Sequence, residues 1–158
     1  MARPKAPAAE IPMPALLRHA RATYGVAMRA ALDAAGYDDV PGNGLYLIGG
    51  LALEEGAVPL AELIRQLRVS KQAAGQLVDT LVARGYLERA ADAHDRRRLT
   101  VTLTERGRAA AKVQKTARSE IDVRLLARVG AGAMRQTRNT LGALIEMGLR
   151  AESGDGGG

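Results

Sequence analysis

The sequence predicts a mainly α fold with a small β-hairpin, an α+β arrangement in which helix, turn, helix and hairpin are flanked by longer helices. Helical apolar spacing runs from Ala15 to Arg84 with only short interruptions. The period changes to alternation over Leu99–Thr104. Helical spacing then returns from Glu105 to Arg150. At 158 residues and 16.7 kDa the chain suits one domain, or one small domain with a dimerisation extension.

Each element has its own signal. Residues 1–14 carry four of the six prolines and read as a flexible arm. Leu16, Leu17, Ala20, Tyr24, Ala27, Met28, Ala31 and Leu32 set a first helix over Ala15–Ala35, stopped by Gly36. Leu45, Ile48, Leu51 and Ala52 set a second over Pro41–Glu55, weakened by glycines at 42, 44, 49 and 50 because each interior Gly costs about 1 kcal/mol relative to Ala. Leu60, Leu63, Ile64 and Leu67 mark a short third helix. Arg68 and Val69 form the turn, and Ser70 is placed to cap the next helix with its hydroxyl.

That fourth helix runs from Lys71 to Arg84 and stops at Gly85. Ala74, Leu77, Val78, Leu81 and Val82 make its apolar face; Lys71, Gln72, Gly75, Gln76 and Asp79 make the opposite one. Tyr86–Ala90 and Leu99–Thr104 read as two strands, the second with its threonines outward. Between them lies a polar loop with Asp92, His94, Asp95, Arg96, Arg97 and Arg98, a hairpin with a basic tip. Thr104 caps a long helix striped by Ala110, Val113, Ala117, Ile121, Leu125 and Val129. Gly130-Ala-Gly132 breaks it, and a last helix follows over Ala133–Arg150. Residues 151–158 are Gly-rich and read as a disordered tail.

Composition excludes several kinds of chemistry. There is no cysteine, so disulfides, thiolate metal sites and Cys nucleophiles are out. His19 and His94 are too few for a His-rich zinc site. No nucleophile motif or phosphate-binding Gly loop is present, so the chain reads as neither an enzyme nor a cofactor binder. No apolar run approaches the roughly 18 residues of a membrane span, and the expected location is the cytoplasm. The net charge of +6, carried by 19 Arg and 4 Lys against 17 acids, fits a polyanionic partner or simply a preference for arginine; placement decides.

Helix, turn, helix and arginine-tipped hairpin make a winged helix-turn-helix. An α-helix fits the DNA major groove, where Gln pairs with adenine and Lys with guanine. The free amides near Ser70 suit a phosphate, and arginines at a hairpin tip suit a narrow minor groove. Asp79 would be repelled by phosphate and reads instead as the partner of a nearby arginine.

The stretch Leu60–Arg108 resembles the core of the MarR (multiple antibiotic resistance regulator) transcription factors. VSKQ, LVDTLVARGYLER, the wing DAHDRRR and the LTERGR that opens the long helix carry the likeness. The resemblance implies a winged helix over about 40–104 and dimerisation helices over about 15–35 and 105–150, together one MarR-like domain over 15–150. It further implies a homodimer on a palindromic double-stranded DNA operator, commonly a repressor released by a small molecule. By motif position Ser70, Lys71, Gln72 and Gln76 lie on the recognition helix. Asp95, Arg96 and Arg97 form the wing tip, where one arginine enters the minor groove and Asp95 holds the tip by a salt bridge. Arg97 is assigned the groove; Arg96 and Arg98 are assigned phosphates.

The chain departs from the family pattern at Gln76, where many members have Arg, and in its Gly-rich second helix. The effector-binding residues stay unknown: Arg18, His19, Arg21 and Tyr24 of the first helix read as interface or solvent residues in preference to the lining of a pocket beneath the dimer region. An architectural, nucleoid-type DNA binder is the alternative function, and a winged-helix protein-protein module a third. The apolar stripes outside the winged helix exceed what one small domain covers, so a dimer is expected on that ground too.

Overall fold

A computed structural model describes residues 7–54, 56–67, 69–92 and 94–154, the last four by backbone only. Residues 1–6 of the expected arm, 155–158 of the expected tail and Arg68 of the turn lie outside the described residues. The chain forms two compact units, one up to Arg118 and one from Ser119.

In the first unit a 3-10 turn over Ala8–Glu10 leads into α1, Met13–Ala34. Pro14 suits the first turn of α1, where no amide partner is lost. Gly36 at φ 81° ends α1, its neighbour Tyr37 donating back to Leu32 O at 2.9 Å. Helix α2 spans Gly44–Leu51, shorter than the predicted Pro41–Glu55. Gly44 packs against Pro41 and Leu81, so the chain turns at Pro41 rather than continuing a helix through it.

Helix α3 is Leu60–Leu67, as the spacing predicts, and α4 is Lys71–Ala83. Ser70 Oγ accepts from the Ala73 amide at 3.2 Å, the expected cap. At the other end Gly85 takes φ 75°, and Tyr86 N donates to Leu81 O at 2.9 Å.

The sheet has three antiparallel strands in the order β1-β3-β2. Strand β2 is Leu87–Ala91 and β3 is Leu99–Leu103, paired with Leu87 opposite Leu103 and Ala91 opposite Leu99. The sequence showed no sign of β1, Val58–Pro59, which pairs Val58 with Val101. Because β3 is thus the central strand, its outward-threonine expectation is corrected. Thr100 is buried and donates to Ala90 O at 3.3 Å, while Leu99 is exposed.

Core residues come from all these elements. Met28, Leu32, Leu45, Ile48, Leu63, Val78, Leu81, Tyr86, Val101 and Ala110 are buried together. A fully buried Leu or Ile contributes about 1.5–3 kcal/mol relative to an exposed one. Helix α5, Glu105–Gly154, opens under Thr104, whose Oγ1 accepts from Gly107 N at 3.0 Å and donates to Gly85 O. Gly107 is required there: a Cβ would stand 2.1 Å from the Tyr86 carbonyl oxygen.

The second unit holds the rest of α5. Gly130, at φ 82° and ψ 161°, is not helical, so the expected break falls where the glycines are. Asp122 pairs with Arg138 across it at 3.9 Å. Val123, Leu125, Leu126, Val129, Leu144, Ile145, Met147 and Leu149 are exposed within this unit. The helix continues through 151–154, residues read from sequence as the start of the tail. Among the described residues no helix is long and apolar enough to cross a membrane.

Candidate nucleic-acid interface

The polar face of α4 is free because its other face is fully used. Ala74, Val78 and Leu81 are buried in the core, so Lys71, Gln72 and Gln76, on the opposite side, stand exposed. Neither glutamine amide has a hydrogen-bond partner among the described residues, so both have donors and acceptors to offer. Asp79 pairs with Arg89 of β2, the intramolecular role expected for it. This ion pair fastens α4 to the first strand of the hairpin.

The hairpin tip is built by carboxylates gripping backbone amides. Asp92 Oδ1 accepts from His94 N at 2.7 Å and Asp95 N at 3.1 Å. These amides hold the Asp92 carboxyl below its ordinary pKa. Asp95 Oδ1 accepts from Arg97 N at 3.0 Å, and its Oδ2 lies 3.6 Å from Arg98 Nε. Asp95 therefore braces the tip through Arg98, while Arg96 and Arg97 have no ion pair among the described residues. Asp92 went unassigned in the sequence; its place as the first tip residue of a hairpin was the available signal.

Lys71, Arg97 and Arg98 line one concave surface of about 800 Å³ with Pro59, Leu60 and Leu99. The N-terminal end of α4 and the wing arginines thus face a common space. Ser70 lies at the same end of α4, whereas Gln72 and Gln76 follow along its exposed side.

At the other end of α4 is a polar knot that sequence reasoning missed. The Tyr86 hydroxyl donates to Asp39 Oδ1. Arg106 Nη2 reaches Asp39 Oδ1 and the Tyr86 oxygen, each at 3.0 Å. Arg84 at the end of α4 donates to the Asp39 carbonyl. The Arg106 guanidinium also stacks over the Tyr86 ring, 4.7 Å from its centroid. Burial, and then the bond to Asp39, push the Tyr86 hydroxyl up to about 12. The Tyr86 bond, with help from Arg106, holds Asp39 below its ordinary value. The knot ties the loop before α2, the end of α4 and the start of α5 together. Among the described residues no cluster of His, Asp and Glu could hold a metal ion.

This geometry has known counterparts. A family model described as the MarR family matches residues 38–98. A MarR family protein of Mycobacterium tuberculosis, solved in complex with salicylic acid, is 30% identical over 85% of this chain and 97% of that one, at a TM-score of 0.58. The chain belongs to the MarR family. Its fold is shared with a MarR transcriptional regulator from Methanosarcina mazei Go1, 22% identical over 88% of this chain and 97% of that one, at a TM-score of 0.73. It is also shared with S. aureus MepR in a complex with DNA, 17% identical over 87% and 99%, at a TM-score of 0.69. No curated protein matches the chain. The MarR family consists of winged-helix, DNA-binding transcription regulators, and in this member α4 and the β2-β3 hairpin supply the second helix and the hairpin of that fold.

Proposed function

We propose that this MarR family regulator acts as a homodimeric repressor, binding a palindromic double-stranded operator and leaving it when a small-molecule effector binds. The observation that carries the DNA reading is the concave surface shared by Lys71, Arg97 and Arg98, with Gln72 and Gln76 exposed beside it. In this reading α4 enters the major groove. Ser70 and Lys71 at its positive end anchor a phosphate, and Gln72 and Gln76 read base edges. Arg97 enters the minor groove, and Arg96 and Arg98 meet phosphates. Asp95 keeps Arg98 in place.

Selection of bound genomic fragments by the purified protein, followed by sequencing and footprinting, tests the reading. One or a few palindromic sites are expected; uniform coverage of the genome would favour the architectural alternative. On the selected site, Gln72→Ala or Gln76→Ala should relax preference at particular base pairs, each worth about 1–3 kcal/mol. Arg96→Ala should instead lower the salt dependence by about 0.9 per lost phosphate contact, equally for all sequences.

A further inference from the structure

Glycine is, after proline, the residue least suited to a helix interior. In the helices of the first unit its presence mostly has a local cause. A Cβ at Gly25 would meet the Tyr46 hydroxyl at 2.8 Å, one at Gly49 the Gln114 oxygen at 3.2 Å, and one at Gly107 the Tyr86 carbonyl. Gly50 stands clear, but it is the penultimate residue of α2, where the helix is ending. Gly75 has no such cause. It is the fifth residue of α4, which continues to Ala83. Its φ is not positive. Beyond the helix's own backbone and the flanking residues, a Cβ there would meet no heavy atom of the described residues within 4 Å. Neither backbone conformation nor packing within the chain calls for glycine at this position.

Gly75 sits on the face of α4 that carries Lys71, Gln72, Gln76 and Asp79. Lys71, Gln72 and Asp79 are three or four positions away, the spacing of neighbours on a helix surface. Those side chains are exposed while Gly75 is half-buried, so it forms the floor of a notch with polar rims.

We infer that Gly75 is a specificity-determining residue, whose notch admits the C5 methyl group of a thymine in the major groove. The inference rests on the operator reading above and deepens it by naming a base. When Gln72 or Gln76 comes within hydrogen-bond range of a base edge, the helix backbone between them is drawn toward the groove floor as well. Thymine alone among the four bases projects a methyl group there. A side chain at position 75 would collide with that methyl group, whereas a Cα without a side chain accepts it. Phosphate is the wrong occupant, because the exposed Asp79 carboxylate stands on the same face. A protein partner is the wrong one too. Interface cores are enriched in aromatic residues and depleted in Lys and Asp, and the rims of this notch are Lys71, Gln72, Gln76 and Asp79.

Gly75→Ala tests this, because a glycine kept for the chain's own packing and one kept for DNA predict opposite changes in stability. The variant should melt about 2–4 °C above the parent, since alanine is the better helix former and displaces nothing. On the operator selected by the parent it should bind about tenfold weaker, the equivalent of 1.4 kcal/mol. Replacing thymines one at a time by deoxyuridine removes the methyl group and nothing else. At one position in each half-site that replacement should weaken the parent about fourfold, the worth of one buried methyl group, and restore most of the affinity the variant lost. A melting point below the parent's would give the glycine a place in the chain's own packing and overturn the inference. So would unchanged operator binding, or a loss that no deoxyuridine relieves. The two readings fail distinguishably. If the parent selects no palindromic fragment, the operator reading falls and Gly75 with it. If palindromes are selected and Gln72→Ala relaxes base preference while Gly75→Ala binds as the parent does, the Gly75 assignment falls alone.

Discussion

Leu81 of α4 and Leu126 of α5 are the same residue on the same kind of element, yet Leu81 is fully buried and Leu126 is 43% exposed. The contrast holds for the units around them. Up to Arg118, α2, α3, α4 and the sheet cover one another, and among the described residues the buried apolar ones all come from this part. From Ser119 onward the helix keeps its apolar stripe, and within the unit Val123, Leu126, Ile145 and Met147 stay exposed. A soluble chain rarely leaves such a patch open. The first unit buries a core of its own while leaving single residues such as Val26 and Leu53 exposed, whereas the exposed apolar residues of the second suit the second copy proposed above.

The largest test of this contrast is Gly107→Ala. The new methyl group would collide with the Tyr86 carbonyl, and backbone must move to admit it. A loss of about 3 kcal/mol or more is expected, read by urea denaturation of the DNA-binding unit. Parent-like stability would show that the close packing of α5 on Tyr86 is not what holds this unit. Next in size is Leu126→Glu, which should weaken self-association about 100-fold, or 2.7 kcal/mol, without unfolding the first unit. Light scattering over a concentration series reads this, and an unchanged mass would remove Leu126 from the interface.

Tyr86→Phe sharpens the comparison within the first unit. It deletes a hydroxyl bonded to both Asp39 and Arg106, and bonds to charged groups contribute about 1.5–3 kcal/mol. The pH dependence carries a sign. The folded hydroxyl titrates near 12 and the unfolded one near 10. Its contribution is therefore complete below pH 10 and is lost as pH rises toward 12. The parent should lose more stability than Tyr86→Phe across that window; parallel curves would show that the tyrosine titrates normally. Asp39 works at the other end. Its lowered value means that stability present above the ordinary carboxylate range falls away in acid, and Asp39→Asn should flatten that fall. The smallest effect belongs to Ser70→Ala, about 1 kcal/mol for a lost helix cap, read by thermal melting.

Much of the fold was legible because its signals are local. Leu60–Leu67, the Ser70 cap and the Thr104 cap depend on residues within a turn of each other. The Asp79 ion pair was legible from charge and the Asp95 one from the family resemblance, although Arg89 and Arg98 as partners were not. Strand β1 was invisible because two residues, one of them proline, have no period. Thr100 was misjudged for the same reason: strand alternation assumes one covered face and a free neighbour, and β1 takes that neighbour's place. The knot lay beyond reach because Asp39 meets Tyr86 and Arg106 across 47 and 67 residues of chain. No spacing rule connects such positions in a single sequence.

The unpartnered amides of Gln72 and Gln76 have an evolutionary meaning as well. Because α4 is held from behind by its buried face, capped at Ser70 and fastened through Asp79 to Arg89, little of the helix's stability rests on the two glutamines. Exposed substitutions of this kind usually change stability by no more than about 0.5 kcal/mol. If the two glutamines read bases as proposed above, a lineage can rewrite the sequence it recognises by drifting at these two positions, and duplicated copies of the gene can part company in their targets while keeping the same fold.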